Sequence, residues 1–197
     1  MGAAALYLKH ARVAEISCSQ IPFLEESDTV EFKSSLRWDY KQERPNTDLE
    51  REVVRGVIGF LNSEGGGTLV VGVDDSKQIL GLDLDYSTLG KRKNRDGFEQ
   101  KLQQILIDAI GERGCAKWLK VRFCSLQGKD LCVITVRSAS EPIFFEEKGK
   151  EGSMYVRIGN TTRALSPREA VAYAGARWGG ITLRRPYLRA LSPSRPA

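Results

Sequence analysis

The stretch that most restricts the fold is "IGFLNSEGGGTLVVGVDD", residues 58–75. Leading into it, Leu49, Val53, Val54, Val57, Phe60 and Leu61 recur at helical spacing, so an amphipathic helix arrives here. Gly65, Gly66 and Gly67 then stop it, supplying the backbone angles of a C-terminal cap and tight turn. The following run, "TLVVGV" (68–73), has no polar alternation. Such a run offers no face to water and predicts a central strand covered on both sides. A helix delivered straight into a buried strand requires a sheet with helices packed on it. A phosphate loop would need the opposite order, with the glycines between a strand and the start of a helix. The glycines therefore predict a turn, and ATP is not expected as a ligand.

The rest of the chain supplies partners for that strand. In "ESDTVEFKSS" (26–35), Val30 and Phe32 alternate with Glu31 and Lys33, a strand with an apolar and a charged face. A polar loop runs to Pro45, and Thr47 with Glu50 three residues on reads as a capping box opening the first helix. "DDSKQILG" turns the chain, and "KRKNR" (91–95) is a basic loop. A second helix is predicted from about Asp96 to Ile110, ended by Gly111 and Gly114. "WLKVRFCSL", the turn "QGKD" and "LCVITV" read as a hairpin. "MYVRIG" (154–159) adds a strand, and Ser166-Pro167-Arg168-Glu169 starts a helix ending near Trp178. The order β-α-β-α-β-β, then a strand and a helix, predicts one mixed sheet in an α+β domain over residues 24–178. Residues 1–23 read as a lead-in and 179–197 as a basic, Pro- and Arg-containing disordered tail.

Charge and cysteines narrow the chemistry. The net charge is +5 over 197 residues, and the five arginines from Arg177 onward, with no acid among them, account for all of it. The domain itself is balanced, so basic clusters rather than bulk charge must carry any case for nucleic acid. The four cysteines lack zinc-ligand spacing and there is one histidine, His10, so no zinc site is expected. The cysteines read as free thiols, with Cys124 and Cys132 packed in strands, which points to the cytoplasm. No apolar run is long enough to cross a bilayer, so no membrane is expected as a partner. The start "MGAAALYLKHARVAE" lacks the layout of a signal peptide.

Two sets of residues carry the functional reading. One is acidic: Glu26, Glu31 and Asp74, with Asp75 beside it. Carboxylates on neighbouring strand ends share a hard cation such as Mg²⁺ or Mn²⁺, which activates water against a phosphodiester. The other is basic: Lys33, Arg37, Lys41 and Arg44, then Lys91, Arg92, Lys93 and Arg95, and finally Arg157 and Arg163. Trp38 and Tyr40 interleave with the first group. Cations on loops suit phosphates, and an exposed aromatic can stack on a base. The cations of "KRKNR" repel one another unless a partner neutralises them.

The segments "ESDTVEFKSS", "IGFLNSEGGGTLVVGVDDSKQILGL" and "YVRIGNTTRALSPRE", in that order and covering about residues 24–178, resemble the Schlafen AlbA_2 family of nucleic-acid-binding domains. The resemblance implies an Alba-like β-α-β-α-β-β core. It also implies, from the RNA endonucleases among the animal members, an acidic active site at Glu26, Glu31 and Asp74, with Lys33 on the same strand face as Glu31. Those animal nucleases join two such lobes into a cradle and hold zinc. This sequence has one lobe and no zinc ligands, so a cradle here would require a homodimer, or the substrate would have to be held in a different mode. The reading is therefore a domain that binds DNA or RNA phosphates through basic loops. Its alternatives are a metal-dependent endoribonuclease acting on structured RNA and a protein-interaction or nucleotide-sensing module.

Overall fold

In the computed structural model, which describes residues 13, 15–147 and 152–179, the apolar run becomes strand β4 (Gly67–Val71), buried at all five positions. It lies inside a four-stranded sheet between β1 (Val30–Lys33), which runs parallel to it, and β6 (Lys129–Val136), which runs antiparallel. Strand β5 (Leu119–Leu126) closes the far edge, paired with β6 through a turn whose Gln127 and Gly128 have positive φ, as a tight hairpin requires. The order β1-β4-β6-β5 is that of a mixed sheet, and the α+β expectation holds. The parallel β1–β4 pair needs a crossover, which α1 (Asp48–Leu61) provides.

The two faces of the sheet are covered differently. On one, α1 and α3 (Arg95–Trp118) bury Leu69, Val71, Cys132, Ile134 and Val136. On the other, Val30, Phe32, Val70, Leu131 and Val133 pack against Ile21. Ile21 belongs to a 3-10 helix, Cys18–Phe23, in the segment expected as a lead-in. The sheet's second layer is thus a short strap rather than a helix.

Several local expectations are corrected. Cys18 and Cys124 are joined in a disulfide that fastens the strap to β5, whereas Cys115 and Cys132 are free. A pairing across a sequence separation of 106 leaves no local trace, and the thiol argument for a cytoplasmic location loses two of its four cysteines. Thr47 makes no side-chain cap; the Asn46 carboxamide oxygen accepts from the Asp48 N–H instead, and Glu50 pairs with Arg37 and Lys101. The helix α3 breaks at Gly111, where φ is 72°, but resumes as far as Trp118. The polar loop contains a two-stranded ladder, β2 (Trp38–Asp39) with β3 (Arg44–Pro45). The strand expected at 154–159 does not join the main sheet. It forms its own hairpin, β7 (Tyr155–Ile158) with β8 (Thr161–Ala164). A short helix, α2 (Asp83–Ser87), follows the turn after β4, and α4 (Pro167–Trp178) starts with the expected Ser166–Glu169 capping box. The tail expected at 179–197 lies outside the described residues beyond Gly179, as do the lead-in's residues 1–12 and 14. Among the described residues no helix is long and apolar enough to cross a membrane.

Candidate functional site

The alternation of "VEFK" is kept, but its charged face turns inward. Glu31 is 5% exposed and lies under α1 at Gly56. A Cβ at position 56 would come 2.9 Å from Glu31 Oε2 and 2.8 Å from Leu69 Cδ1, so any larger residue would force one of these side chains to shift. Its two oxygens are both engaged: Lys33 Nζ lies 2.8 Å from Oε1 and Arg157 Nη1 donates to Oε2 at 2.7 Å. The Arg157 side chain is 1% exposed. It also donates to the carbonyls of Ser27 and Val30, and its guanidinium stacks 5.3 Å from the Phe60 ring centroid. Arg157, expected at a phosphate, therefore serves as a bolt from the β7–β8 hairpin into the edge of β1. A buried carboxylate without such cations would carry an uncompensated charge.

The other two acids are placed locally. Glu26 Oε1 accepts from the Phe32 N–H on the outer side of β1, satisfying a donor that an edge strand leaves open. Asp74 Oδ1 accepts from the Ser76 N–H and hydroxyl and from the Gln78 N–H, fixing the turn after β4. Among the described residues no group of three or more histidine, cysteine, aspartate or glutamate side chains is placed to hold a metal ion. The donor set as arranged does not fit Mg²⁺ or Mn²⁺, because the best-buried carboxylate already faces two cations.

The basic loops do come together. The pivot is Asp85 on α2, a residue that carries no local signal of a special role. It is 2% exposed, and its carboxylate accepts from the Ser35 hydroxyl at 2.7 Å and from the backbone N–H groups of Leu36, Arg37 and Trp38 at 3.1, 2.7 and 3.1 Å. Burial pushes its carboxyl above the ordinary range, while those four donors pull the other way. Asp85 thereby clamps the segment leading into the β2–β3 hairpin. Arg37, held at its backbone by that clamp, donates to the Thr88 carbonyl and, with Lys91, Arg92 and Lys101, lines a basic depression of about 470 Å³. Lys91, Arg92 and Lys93 are exposed. Arg95 pairs with Asp130 at 2.8 Å and stacks on Phe123. Arg163 is exposed on β8, opposite Val156.

A second cleft, of about 380 Å³, is lined by Trp38 and Tyr40, by the lysines Lys33 and Lys41, and by the acids Asp39, Glu52 and Asp75. It opens where β1 and β4 end, the carboxyl edge of the parallel pair, where open α/β sheets place ligands. Burial, then the charges of Asp85, Asp83 and Asp74, push the Tyr40 phenol up. The clamped loop thus stands between a basic depression and a cleft of mixed charge, in which Asp39, Glu52 and Asp75 share the wall with Lys33 and Lys41.

The Schlafen, AlbA_2 family profile matches residues 26–166. Among solved structures, the DIP2311 protein from Corynebacterium diphtheriae is similar with a TM-score of 0.52 and 24% identity, over 76% of this chain and 28% of that one. The chain thus spans well under a third of that protein's length. The N-terminal domain of a RecG-related protein from Nitrosomonas europaea aligns over 77% of this chain and 95% of its own, at 22% identity and a TM-score of 0.43. Among curated proteins nothing matches.

Proposed function

The chain belongs to the Schlafen AlbA_2 family, and from that premise we propose that it binds nucleic acid, with the phosphates held by the two basic segments that the Asp85 clamp gathers. The observation that carries the reading is the convergence of Arg37 with Lys91 and Arg92, more than 50 residues apart in sequence, on one depression. Glu50 pairs with Arg37 and Lys101, and Asp96 lies 3.5 Å from Arg92, so the exposed Lys91 is the cation of this depression with no ion pair among the described residues, and a polyanion would supply its partner. Lys41 and Arg44, exposed on the adjoining hairpin, extend the surface.

Cleavage is not part of the proposal. The carboxylate that would lead a metal site, Glu31, is saturated by Lys33 and Arg157. The test is a salt titration of affinity for single- and double-stranded DNA and RNA. Phosphate contacts give a log–log slope of about −0.7 to −0.9 for each contact. A flat dependence would remove phosphates from the reading. The same oligonucleotides incubated with Mg²⁺ or Mn²⁺ report cleavage directly, and products that vanish in a Glu31→Gln variant would restore the nuclease alternative.

A further inference from the structure

We infer that the cleft beside the β2–β3 hairpin takes an unpaired base, so that the nucleic acid bound is single-stranded or locally unpaired. The inference rests on the binding reading above and names the substrate class for it.

Three observations support it. First, Trp38 and Tyr40 line the cleft together, two residues apart at the start of one hairpin. Second, neither ring is accounted for by folding. Phe60, Tyr86, Phe98, Trp118, Phe123, Phe145, Tyr155, Tyr173 and Trp178 each face another ring or a cation. Trp38 and Tyr40, like Phe23, Phe32 and Phe144, have neither kind of partner among the described residues, and the Trp38 and Tyr40 rings belong to neither apolar core. Half-buried aromatic rings outside the core, in a cleft, are a surface for a planar ligand. Third, the platform is rigid where it needs to be. The Trp38 N–H is held by Asp85 and by the Ser35 hydroxyl, and Trp38 pairs with Pro45 across the ladder. A backbone fixed before binding leaves less freedom to lose when a base stacks on the ring it carries.

The size of the cleft points the same way. About 380 Å³ is at the low end for small-molecule sites and suits one planar group with its sugar. In a duplex the base faces are stacked and inaccessible to a side-chain ring, so only an unpaired or flipped base can enter. Lys41, exposed on the same cleft, is available to a flanking phosphate, whereas Lys33 is already paired with Glu31.

The experiment compares a labelled single strand of about a dozen nucleotides with an abasic strand of equal length, which keeps the phosphates and lacks every base. The full chain is used, with binding read by fluorescence anisotropy. The base-bearing strand should bind at least tenfold more tightly. Trp38→Ala should abolish that preference and Trp38→Phe should keep most of it. If Trp38→Ala does not fold, judged by circular dichroism, Tyr40→Ala makes the same comparison. Equal affinity for the two strands overturns the inference and leaves phosphate binding in place. A preference that survives both alanine substitutions overturns the assignment to this cleft. No binding to either strand at low salt overturns the underlying binding reading, and the inference with it.

Discussion

Two polar knots in this molecule are each built on a buried carboxylate and differ in what that carboxylate accepts from. In one, Glu31 sits between Lys33 and Arg157 beneath α1, with the arginine side chain 1% exposed. In the other, Asp85 is equally enclosed, but it spends its oxygens on backbone N–H groups and the Ser35 hydroxyl, leaving the cations around it outside. The first neutralises charge within the fold. The second arranges charge for use outside it. What separates structure from function here is which groups the buried carboxylate accepts from.

The comparison can be broken most forcefully at the first knot. Glu31→Ala leaves the Arg157 guanidinium buried against an apolar hole. It should cost about 3–5 kcal/mol of stability, measured by urea denaturation. Replacing both partners by Glu31→Gln with Arg157→Met should recover part of that loss. A near-neutral Glu31→Ala would show that the pair does not hold the β7–β8 hairpin to β1.

At the second knot, Asp85→Ala strands the donors at Ser35, Leu36, Arg37 and Trp38 and should cost about 2–3 kcal/mol. Unlike the Glu31 change, it should also weaken nucleic-acid binding about tenfold in the fraction that stays folded, because the loop is released. The pH dependence sharpens this. The folded-state pKa of Asp85 is raised by burial, so the native state holds its proton to higher pH than the unfolded chain does. Between the ordinary carboxylate value and that raised value, rising pH therefore erodes the contribution of Asp85 to stability. The penalty for Asp85→Asn should be largest in acid and shrink as pH climbs through that window, then level off. A penalty that grows with pH would mean that the carboxyl is depressed instead.

A smaller effect is expected at Gly56. A Cβ there meets Glu31 Oε2 and Leu69 Cδ1 at 2.9 and 2.8 Å, so Gly56→Ala should cost about 1–3 kcal/mol by overpacking. Thermal unfolding measures it. An unchanged midpoint would show that α1 can move off β1.

The sequence made the sheet's centre readable because "TLVVGV" can be buried on both faces only, and the helices because their caps and stripes are local signals. The alternation of "VEFK" correctly separated Val30 and Phe32 from Glu31 and Lys33. It could not say that the charged face turns under α1, since that depends on Gly56 and on Arg157, which stand 25 and 126 positions along the chain from Glu31. The same limit hid the clamp: Asp85 lies 50 residues from Ser35 and in sequence reads as one more acid in "GLDLDYSTLG". The Cys18–Cys124 disulfide escaped notice for the same reason. The clustering of basic loops was legible as composition. Their meeting on one surface, and the exclusion of Arg157 from it, follows from contacts that only the fold supplies.

The central claim is that exposed cations on the clamped loops, and not the buried arginine, meet the phosphates. The direct measurement is the salt dependence of single-strand affinity, from about 50 to 200 mM salt, for the full chain and for Lys41→Glu with Lys91→Glu. Both lysines are exposed, so stability should stay within about 0.5 kcal/mol for each change. The log–log slope should fall by about one unit for each lysine. A slope unchanged by both reversals would contradict the account and place the phosphates on some other face of the molecule.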